Sequence, residues 1–491
     1  MLEEISRRDI ADLRQFLIAN NYNAADMSER LGTSEPPRAG QTARLLHETG
    51  AATPFNALVR LFLAGSGLDE AALREALPDP LIDMCLHTGL LSKHEDRIVA
   101  TITIVPIEDL LFASDAYRML ETGNADAFVL PAHTRASSFL RHLSMRSPVE
   151  RTLDLGCGCG IQALFAARHS RQVIATDINP AALHYTHFNA QLNNIENVEC
   201  RPGDLFEPVA NEKFDLILSN PPFVIGPTNE FVYRDNPMQL DEFSRQIVRA
   251  APAHLNDGGH MQMLCEWLTI NGEQWHARLD EWFDGTGCDA WVLRSPPQRP
   301  ADYAAMRLSD ISGGALRQTS DFANWLGYFD KNNVAAINAG MIVLRRRDGD
   351  NWFHAHSIAD EPEADAGDEV QASLAAAEFA NLCSDDDTLL QARLAIPETV
   401  QLEQRFDRHA DGWDSDMAIL RIKGSLQKQL EIDLPVLAFV NRIDGRRSVE
   451  ECIGAFCEAT GANPAKLTPE LLPVVRLLTR NGFLEPADIE T

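Results

Sequence analysis

The first residues in this chain whose types and spacing could do chemistry are aspartates and glycines that end short apolar segments. Residues 152–155 have the pattern of a buried strand, and they lead into the turn Gly156-Cys157-Gly158-Cys159-Gly160. Glycine has no Cβ, so such a turn can be tight and can approach a ligand closely. A second apolar segment ends at Asp177, 23 residues after Asp154. A carboxylate placed there, beside a glycine turn, is typical of a site that holds the hydroxyls of a nucleoside.

A third apolar segment, residues 215–218, is followed by Asn220-Pro221-Pro222-Phe223. The two prolines end the strand and stiffen the loop, because each fixes φ and removes a hydrogen-bond donor. The glycine spacing also matters, since Asp-x-Gly-x-Gly-x-Gly differs from the Gly-x-Gly-x-x-Gly of dinucleotide-binding folds. These two features point away from a dinucleotide site.

Over residues 128–347 the chain resembles the class I methyltransferases that use S-adenosylmethionine (SAM), in the branch that carries Asn-Pro-Pro-(Tyr/Phe). That branch methylates planar nitrogens, either exocyclic amines of adenine or guanine or the glutamine amide of release factors and ribosomal proteins. The resemblance implies an α/β fold, a Rossmann-like domain with a seven-stranded sheet. It also implies that the enzyme acts mostly by orienting its reactants, without a strong general base or a metal.

The resemblance assigns a role to each motif. Asp154 and the loop of residues 156–160 would lie under the methionyl part of SAM, and Asp177 would bind the ribose hydroxyls. Asp204 would accept a hydrogen bond from the adenine amino group. Asn220 and the Pro221 carbonyl would accept from the substrate NH2, and Phe223 would stack on its plane. The cofactor-binding residues expected in this way are Asp154, Gly156, Gly158, Gly160, Asp177, Ile178, Asp204, Leu205 and Asn220, and the catalytic ones are Asn220, Pro221, Pro222 and Phe223.

Three less specific candidates lie outside these motifs. His133 could touch the cofactor or substrate, although a structural histidine is the favoured interpretation. Tyr233, Arg234 and Asp235 are candidates for contact with the substrate, because they lie in an irregular loop after Phe223. The run of arginines at 345–347 could bind phosphate, but we expect it to be the solvated end of a strand.

The composition excludes some classes of protein. A chain of 491 residues is too long to fold around one hydrophobic core, so it indicates several domains. No apolar run approaches the length of a membrane span, the first residues do not have the pattern of a signal peptide, and the nine cysteines form no Cys-x-x-Cys pair. We therefore expect a cytoplasmic protein with free thiols, without a membrane partner, and of undetermined oligomeric state.

The pattern along the chain predicts four segments. Residues 1–125 read as short helices followed by strands, a winged-helix-like module that could equally be a lid or scaffold for the catalytic domain. Residues 126–350 are the methyltransferase domain, and residues 351–396 are an acidic linker, since residues 351–400 hold eleven acidic side chains and one basic one. Residues 397–491 are expected to be a second winged-helix-like module.

The methyl acceptor is left open by the sequence. The net charge of −29 weighs against a generic nucleic-acid surface and favours the glutamine amide of a protein. Phe223 weighs the other way, because the enzymes acting on glutamine usually have tyrosine there, while phenylalanine is also typical of those acting on guanine in ribosomal RNA. A base amine in RNA, or less readily in DNA, is therefore the alternative, and a SAM-binding protein without activity is the third hypothesis. A basic stripe beside the pocket would favour RNA, and an acidic or apolar rim would exclude it.

Overall fold

The computed structural model of the protein describes residues 5–37, 41–116, 127–227, 234–235, 238–309, 315–358, 362, 365–409, 412–415 and 417–487. The chain forms two compact units, one made of Met1–Arg141 with Ser147–Phe353 and the other of His142–Arg146 with His354–Thr491. In the described ranges, no helix has the length and apolar character needed to cross a membrane. All nine cysteines lie in these ranges, and all are free thiols.

The N-terminal part of the first unit is helical before it becomes a small sheet. Helix starts coincide with side chains that accept a hydrogen bond from the first turn, as Ser6 and Asn23 do, which satisfies donors that have no partner inside the helix. The elements are α1 (Arg7–Ala19), α2 (Ala24–Leu31), α3 (Thr42–Glu48), α4 (Pro54–Leu58) with a π-helical continuation (Val59–Leu63), β1 (Leu68–Asp69), α5 (Glu70–Ala76), α6 (Asp79–His87), β2 (Leu91–His94), β3 (Arg97–Ala100), β4 (Ile102–Ile107) and β5 (Leu110–Asp115).

Strands β1, β3 and β2 form a three-stranded antiparallel sheet, and β4 and β5 form a separate hairpin. A helix pair followed by an antiparallel hairpin, with a short strand before it, is the arrangement that the winged-helix-like prediction describes. Core residues of these helices and of the β4–β5 hairpin belong to the same buried apolar cluster as Val173 and Leu216, which lie in strands of the larger sheet described next.

The larger part of the first unit is built on one mixed sheet. Its elements are α7 (Arg135–Leu143), β6 (Val149–Leu155), α8 (Ile161–Ala166), β7 (Ser170–Asp177), α9 (Pro180–Leu192), β8 (Val198–Pro202), β9 (Phe214–Ser219), α10 (Glu242–Ala250), β10 (Leu255–Ile270), α11 (Ala277–Phe283), β11 (Cys288–Arg294), α12 (Pro300–Ser309), α13 (Ala315–Lys331) and β12 (Val334–Arg346). Strand β13 (Phe353–Ser357) begins at the last residue of this unit. The strand order is β13-β11-β12-β10-β9-β6-β7-β8.

The five strands from β10 to β8 in this order run parallel, whereas β12 is antiparallel to both β10 and β11. The chain moves outward from β6 to β7 and β8, then returns to place β9 on the other side of β6. Ligand sites in such sheets lie outside the carboxyl ends of the strands at the point where this order reverses. The prediction of an α/β, Rossmann-like sheet is confirmed, although the sheet has eight strands and seven were predicted.

The second unit contains α14 (Gly367–Leu382), α15 (Asp386–Gln391), β14 (Leu394–Ala395), β15 (Val400–Gln404), β16 (Asp407–His409), β17 (Gly412–Asp414), β18 (Met417–Ile422), β19 (Gln429–Asp433), α16 (Leu434–Val440), α17 (Val449–Thr460), α18 (Pro464–Arg480) and β20 (Glu485–Pro486). A capping box of Ser448 and Glu451 opens α17. Strands β15, β18 and β19 form an antiparallel sheet that precedes α16 in the chain. Only the pairing of β20 with β14 resembles the strands of a wing, so the winged-helix-like assignment stays a prediction here.

The prediction that residues 351–396 are an acidic linker is wrong. They contain β13, α14, α15 and β14, and α14 buries Val370, Leu374, Ala377 and Ala380. Their spacing places these side chains on one helix face, and the acidic residues occupy other positions. The other domain boundaries stay predictions.

Helix α9 holds the β4–β5 hairpin through two asparagines one turn apart. The Ala113 N–H donates to Asn189 Oδ1 (2.8 Å), and Asn189 Nδ2 donates to the Ala113 carbonyl (2.9 Å) and to the Cys159 carbonyl in the glycine turn (2.8 Å). Asn193 makes the same pair of bonds with the backbone of Leu111, at 2.9 and 2.7 Å. These amides satisfy the backbone of β5 as a neighbouring strand would, and Asn189 also fixes the turn that follows β6.

Replacing Asn189 by alanine should therefore lower the free energy of unfolding by roughly 3 kcal/mol or more, because three buried backbone groups would lose their partners. The control is His184→Ala on the exposed face of the same helix, which should leave stability unchanged. Chemical denaturation of both variants beside the parent protein measures the difference. Equal stability of the two variants would contradict the role given to Asn189.

Candidate functional site

A cavity of about 460 Å³ lies at the carboxyl ends of β6, β7, β8 and β9. It brings together most of the residues predicted from the sequence, although these come from four separate segments of the chain. Predicted residues that line it are Asp154, Gly156, Gly158, Asp177, Ile178, Asp204, Leu205, Asn220, Pro221 and Pro222. Gly160 and Phe223 are absent from its lining.

The glycine turn after β6 needs glycine for two different reasons. Gly156, Gly158 and Gly160 have φ values of 76°, 55° and 81°, in the left-handed region that side chains with a Cβ rarely adopt. A Cβ on Gly156 or Gly158 would meet nothing within 4 Å, so these two positions face open space. A Cβ on Gly160 would lie 2.8 Å from the side chain of Thr186. Gly160 is therefore required for the packing of the turn against α9, and not for contact with a ligand in the cavity.

Asp154 lies one residue before the end of β6, and only 1% of its surface is exposed. Its Oδ2 accepts a hydrogen bond from the Ala163 N–H in α8 (2.8 Å), which joins the strand to the helix after the glycine turn. Burial raises the pKa of Asp154 to about 7, and the nearby Asp177 carboxylate adds to this, while the bond from Ala163 opposes it.

Asp177 lies at the end of β7 and faces the glycine turn. Its Oδ2 accepts from the Gly158 N–H (2.9 Å) and its Oδ1 accepts from the Asn179 N–H (2.8 Å). Burial raises the pKa of Asp177 in spite of these bonds. The next residue, Ile178, presents an apolar side chain that is 60% exposed, and Asp204 is exposed after β8. Of these three acids, Asp154 and Asp177 are thus held by backbone hydrogen bonds, and Asp204 is solvated.

The loop after β9 carries Asn220, Pro221 and Pro222 into the cavity, and the chain then turns away from it. Ser219, the last residue of β9, donates through Oγ to the Leu155 carbonyl (2.8 Å), which aligns the ends of β9 and β6. Phe223 packs instead against the apolar cluster of Val224, Tyr303 and Trp325.

A buried hydrogen-bond network fixes the segment that follows Phe223. The Ile225 N–H donates to Tyr303 Oη (3.0 Å), and the Tyr303 hydroxyl donates to Glu266 Oε2 (2.5 Å). Arg307 forms an ion pair with the other oxygen of Glu266, which is 2% exposed. The aromatic residues between β11 and β12 therefore pack against the segment that follows Phe223.

The less specific candidates from the sequence differ in whether they line the cavity. His133 lies outside the cavity lining, and burial lowers the pKa of its imidazole to about 4, in agreement with a structural histidine. Asp235 is buried and lines the cavity, and it pairs with Arg234 at 2.7 Å. Tyr233 lies outside the described residues. Arg345 and Arg347 both bind Asp289, so they are not a free phosphate site.

Sequence reasoning missed much of the cavity wall. Its apolar part comes from Phe128, Val129, Leu130, Phe243 and Ile247, which carry no motif. It also missed Thr176, which is 1% exposed and whose Oγ1 has no hydrogen-bond partner in the described part of the chain. The position of Thr176, directly before Asp177 at the end of a predicted strand, is the signal that could have identified it.

The charge of the lining is one-sided. Four aspartates line the cavity, and the described lining contains no lysine or arginine. Asp177 and Asp204 are the acids that carry this charge, because Asp235 pairs with Arg234 and Asp154 keeps its proton up to about pH 7. A positively charged or donor-rich ligand would be favoured there, and a polyanion would be repelled.

Three family models match three separate segments of the chain. The family model described as "Methyltransferase small domain" matches residues 134–271. Two models described as domains of unknown function match residues 19–101 (DUF7059) and 374–486 (DUF7782). The second of these begins inside α14, so it includes part of the segment that was predicted to be a linker.

Curated relatives match the central part of the chain. A release factor glutamine methyltransferase from Cereibacter sphaeroides is 30% identical over 41% of this chain and 74% of its own length. One from Xylella fastidiosa is 36% identical over 26% of this chain and 50% of its own length. A ribosomal RNA small subunit methyltransferase C from Alcanivorax borkumensis is 28% identical over 27% of this chain and 36% of its own length. The chain thus spans half or less of the Xylella and Alcanivorax proteins.

Burial of Asp154 makes a prediction about pH. Because the pKa of Asp154 in the folded protein is about 7, its carboxyl group keeps a proton up to that pH, whereas the unfolded chain releases it near the ordinary aspartate pKa of 3.8. On account of this group, stability should fall as the pH rises from about 4 to 7 and stay low above that range. Asp154→Asn should remove this dependence, so the variant should gain thermal stability relative to the parent protein as the pH rises from 5 to 8. Melting curves at both values measure the gain, and an identical pH dependence in the two proteins would contradict the assignment.

Proposed function

We propose, from the premise that this chain belongs to the methyltransferase small-domain family, that it transfers a methyl group from SAM to a planar nitrogen of a macromolecule. The observation that carries this proposal is the shared cavity. The glycine turn with Asp154 and Asp177 and the loop of Asn220, Pro221 and Pro222 line the same space. A cofactor end and an acceptor end are therefore within reach of each other.

The residues present fit the cofactor. The open backbone at Gly156 and Gly158 leaves room for a ligand to lie on the turn, and the Thr176 hydroxyl is a buried polar group without a partner in the described residues. Asp177 would hold the ribose hydroxyls, Asp154 would lie beneath the methionyl part, and Ile178 would pack on the adenine ring. When bound, SAM would supply an electrophilic methyl group.

The acceptor loop would orient the nitrogen. The Asn220 side-chain oxygen and the Pro221 carbonyl would accept hydrogen bonds from the two N–H groups of the substrate nitrogen. These bonds would turn the nitrogen lone pair toward the cofactor and stabilise the positive charge that develops on nitrogen. The prolines hold these acceptors in place, because their φ angles are fixed. The network of Tyr303 and Glu266 supports the same loop from behind.

For the acceptor, we propose the amide of a glutamine side chain in a protein. The acidic lining of the cavity favours a neutral amide over the phosphate-bearing backbone of a nucleic acid. The relatives named release factor glutamine methyltransferase are in line with this choice. The relative named for ribosomal RNA, together with Phe223, keeps an exocyclic amine of a base in RNA as the second candidate. We propose a cytoplasmic location, as expected from the sequence.

Substitutions at the two ends of the cavity should have different effects on SAM binding and on methyl transfer. Asn220→Ala should lower methyl transfer by about a hundredfold and leave SAM affinity nearly unchanged, because it removes an acceptor that acts on the transition state. Asp177→Ala should weaken SAM binding first. Titration with SAM and a single-turnover transfer assay measure both quantities, with Asn441→Ala, an exposed asparagine in the second unit, as the control. Normal transfer by Asn220→Ala would exclude the assigned role.

The identity of the acceptor can be tested with radiolabelled SAM in a whole-cell extract divided into samples treated with RNase or with protease. Label that resists RNase and is lost to protease indicates a protein, and peptide mapping should then find it on glutamine. The opposite pattern would transfer the proposal to RNA. Absence of label in both samples, while SAM still binds, would favour a binding protein without activity.

A further inference from the structure

The sheet continues past its carboxyl edge on the side of the acceptor loop. Strand β10 runs to Ile270, beyond Met263, whose partner Ser219 is the last residue of β9. Residues 264–270, the β10 extension, still pair with β12, and α12 and α13 lie between β11 and β12 in the chain. One apolar cluster joins the extended strands and the two helices to the chain after Phe223, and it includes Val224, Ile225, Leu268, Tyr303, Trp325 and Ile337.

Two tyrosines of these helices accept hydrogen bonds from the backbone at two points after the acceptor loop. The Ile225 N–H donates to Tyr303 Oη on α12 (3.0 Å). The Leu240 N–H likewise donates to Tyr328 Oη on α13 (3.0 Å). The Tyr303 hydroxyl is itself oriented, because it donates to Glu266 in the β10 extension. A backbone N–H that is shielded from water needs an acceptor, so each hydroxyl fixes one point of the chain.

Each fixed point lies next to a residue that lines the cavity. Asp235 lines it and forms a β-bridge with Val224, directly before the point that Tyr303 holds. Met238 also lines it, and it lies two residues before Leu240. The Met238 side chain is 41% exposed, so it presents an apolar surface at the cavity. The two tyrosines are therefore coupled through short stretches of backbone to two residues of the cavity wall.

Two further contacts hold the same part of the chain against the β10 extension and α13. The buried Asp241 accepts through Oδ2 from the Leu268 N–H (3.0 Å) and from Arg278 Nε (2.8 Å). At the other point, a Cβ on Gly226 would lie 2.8 Å from the ring of Trp325. The backbone thus lies so close to α13 that a larger residue than glycine at position 226 would displace it.

We propose that Tyr303 and Tyr328 are positioning residues for the methyl acceptor. The assignment rests on the proposed function, because it takes the side of the cavity next to Asn220 as the acceptor side. Tyr303 acts through the backbone that carries Asp235, and Tyr328 acts through the backbone that carries Met238. The cofactor side is formed by the glycine turn and the end of β7, which are held by separate hydrogen bonds, so loss of either hydroxyl affects the acceptor and not SAM.

The first test is amide hydrogen exchange of the full-length protein, measured by mass spectrometry with fragmentation that resolves single amides. Phenylalanine variants remove only the hydroxyl of each tyrosine. Tyr303→Phe should speed exchange at Ile225, and Tyr328→Phe should speed exchange at Leu240, each by about fivefold, the factor that corresponds to the net loss of one hydrogen bond. Unchanged exchange at both amides would overturn the proposal.

The second test is methyl transfer from radiolabelled SAM to a total extract of cells that lack this enzyme, whose acceptor sites are unmethylated. The rate at limiting extract, which reports kcat/KM for the acceptor, should fall by about fivefold in each variant, again the effect of one hydrogen bond. The KM for SAM and the affinity for SAM in a binding titration should stay at the parent values.

Two other variants control these tests. Tyr22→Phe is matched, since Tyr22 is buried outside the cavity lining and its hydroxyl donates to the Ile104 carbonyl (2.7 Å). It should lose a similar amount of stability and keep parent kinetics. Gly226→Ala displaces the backbone from Trp325 without removing a hydrogen bond, so it should lower kcat/KM for the acceptor as well. Thermal melting confirms folding, and Gly226→Ala replaces Tyr303→Phe if that variant does not fold.

The outcomes distinguish this proposal from the proposed function. Parent kinetics in both tyrosine variants, an equal loss of transfer in Tyr22→Phe, or a loss of SAM affinity that accounts for the slower transfer would each overturn the role of the tyrosines. Absence of transfer by the parent protein would contradict the proposed function instead. The exchange rates at Ile225 and Leu240 would then show by themselves whether the two hydroxyls fix this side of the cavity.

Discussion

The hydrogen bond from the Ala163 N–H to the Asp154 carboxylate is the interaction on which the cavity depends. It fixes the start of α8 against the end of β6, so the glycine turn between them has both ends held. The turn in turn presents the Gly158 N–H to Asp177, which lies at the end of the neighbouring strand. Because Asp154 is buried, its carboxyl group is harder to ionise than it would be in water, and its pKa is raised. Such a position is typical of a site that binds a ligand.

The sheet supplies the second constraint. Parallel strands bring the ends of β6, β7, β8 and β9 to one edge, and the reversal of strand order between β6 and β9 opens a crevice there. The acceptor loop is attached to this edge by Ser219 and held from behind by Tyr303. The two ends of the proposed reaction are thus fixed by different parts of the fold, one by the glycine turn and one by the buried network of Glu266.

The main residues of the cavity could be predicted from the sequence, because each of them lies in a short motif directly after an apolar segment. The positions of Asp154, Asp177 and Asn220 follow from apolar segments that stop at polar or turn-forming residues. The wall made by Phe128 and Ile247 could not be predicted, because apolar residues without periodic spacing meet only through the tertiary fold. Phe223 shows the limit of a motif, because its ring direction depends on the aromatic cluster formed by a distant insertion. In α14 the spacing of Val370, Leu374 and Ala377 did carry a helical signal, but the acidic composition outweighed it.

The contacts of Asn189 make the glycine turn and α9 depend on the β4–β5 hairpin. One amide side chain bridges the β4–β5 hairpin and the glycine turn, and Asn193 and Tyr185 fasten the same hairpin to α9. A fragment beginning at residue 126 would lose the strand that these side chains satisfy and would expose an apolar helix face. The β4–β5 hairpin is therefore held by the same helix that supports the glycine turn, and removing it would remove part of the support of that turn.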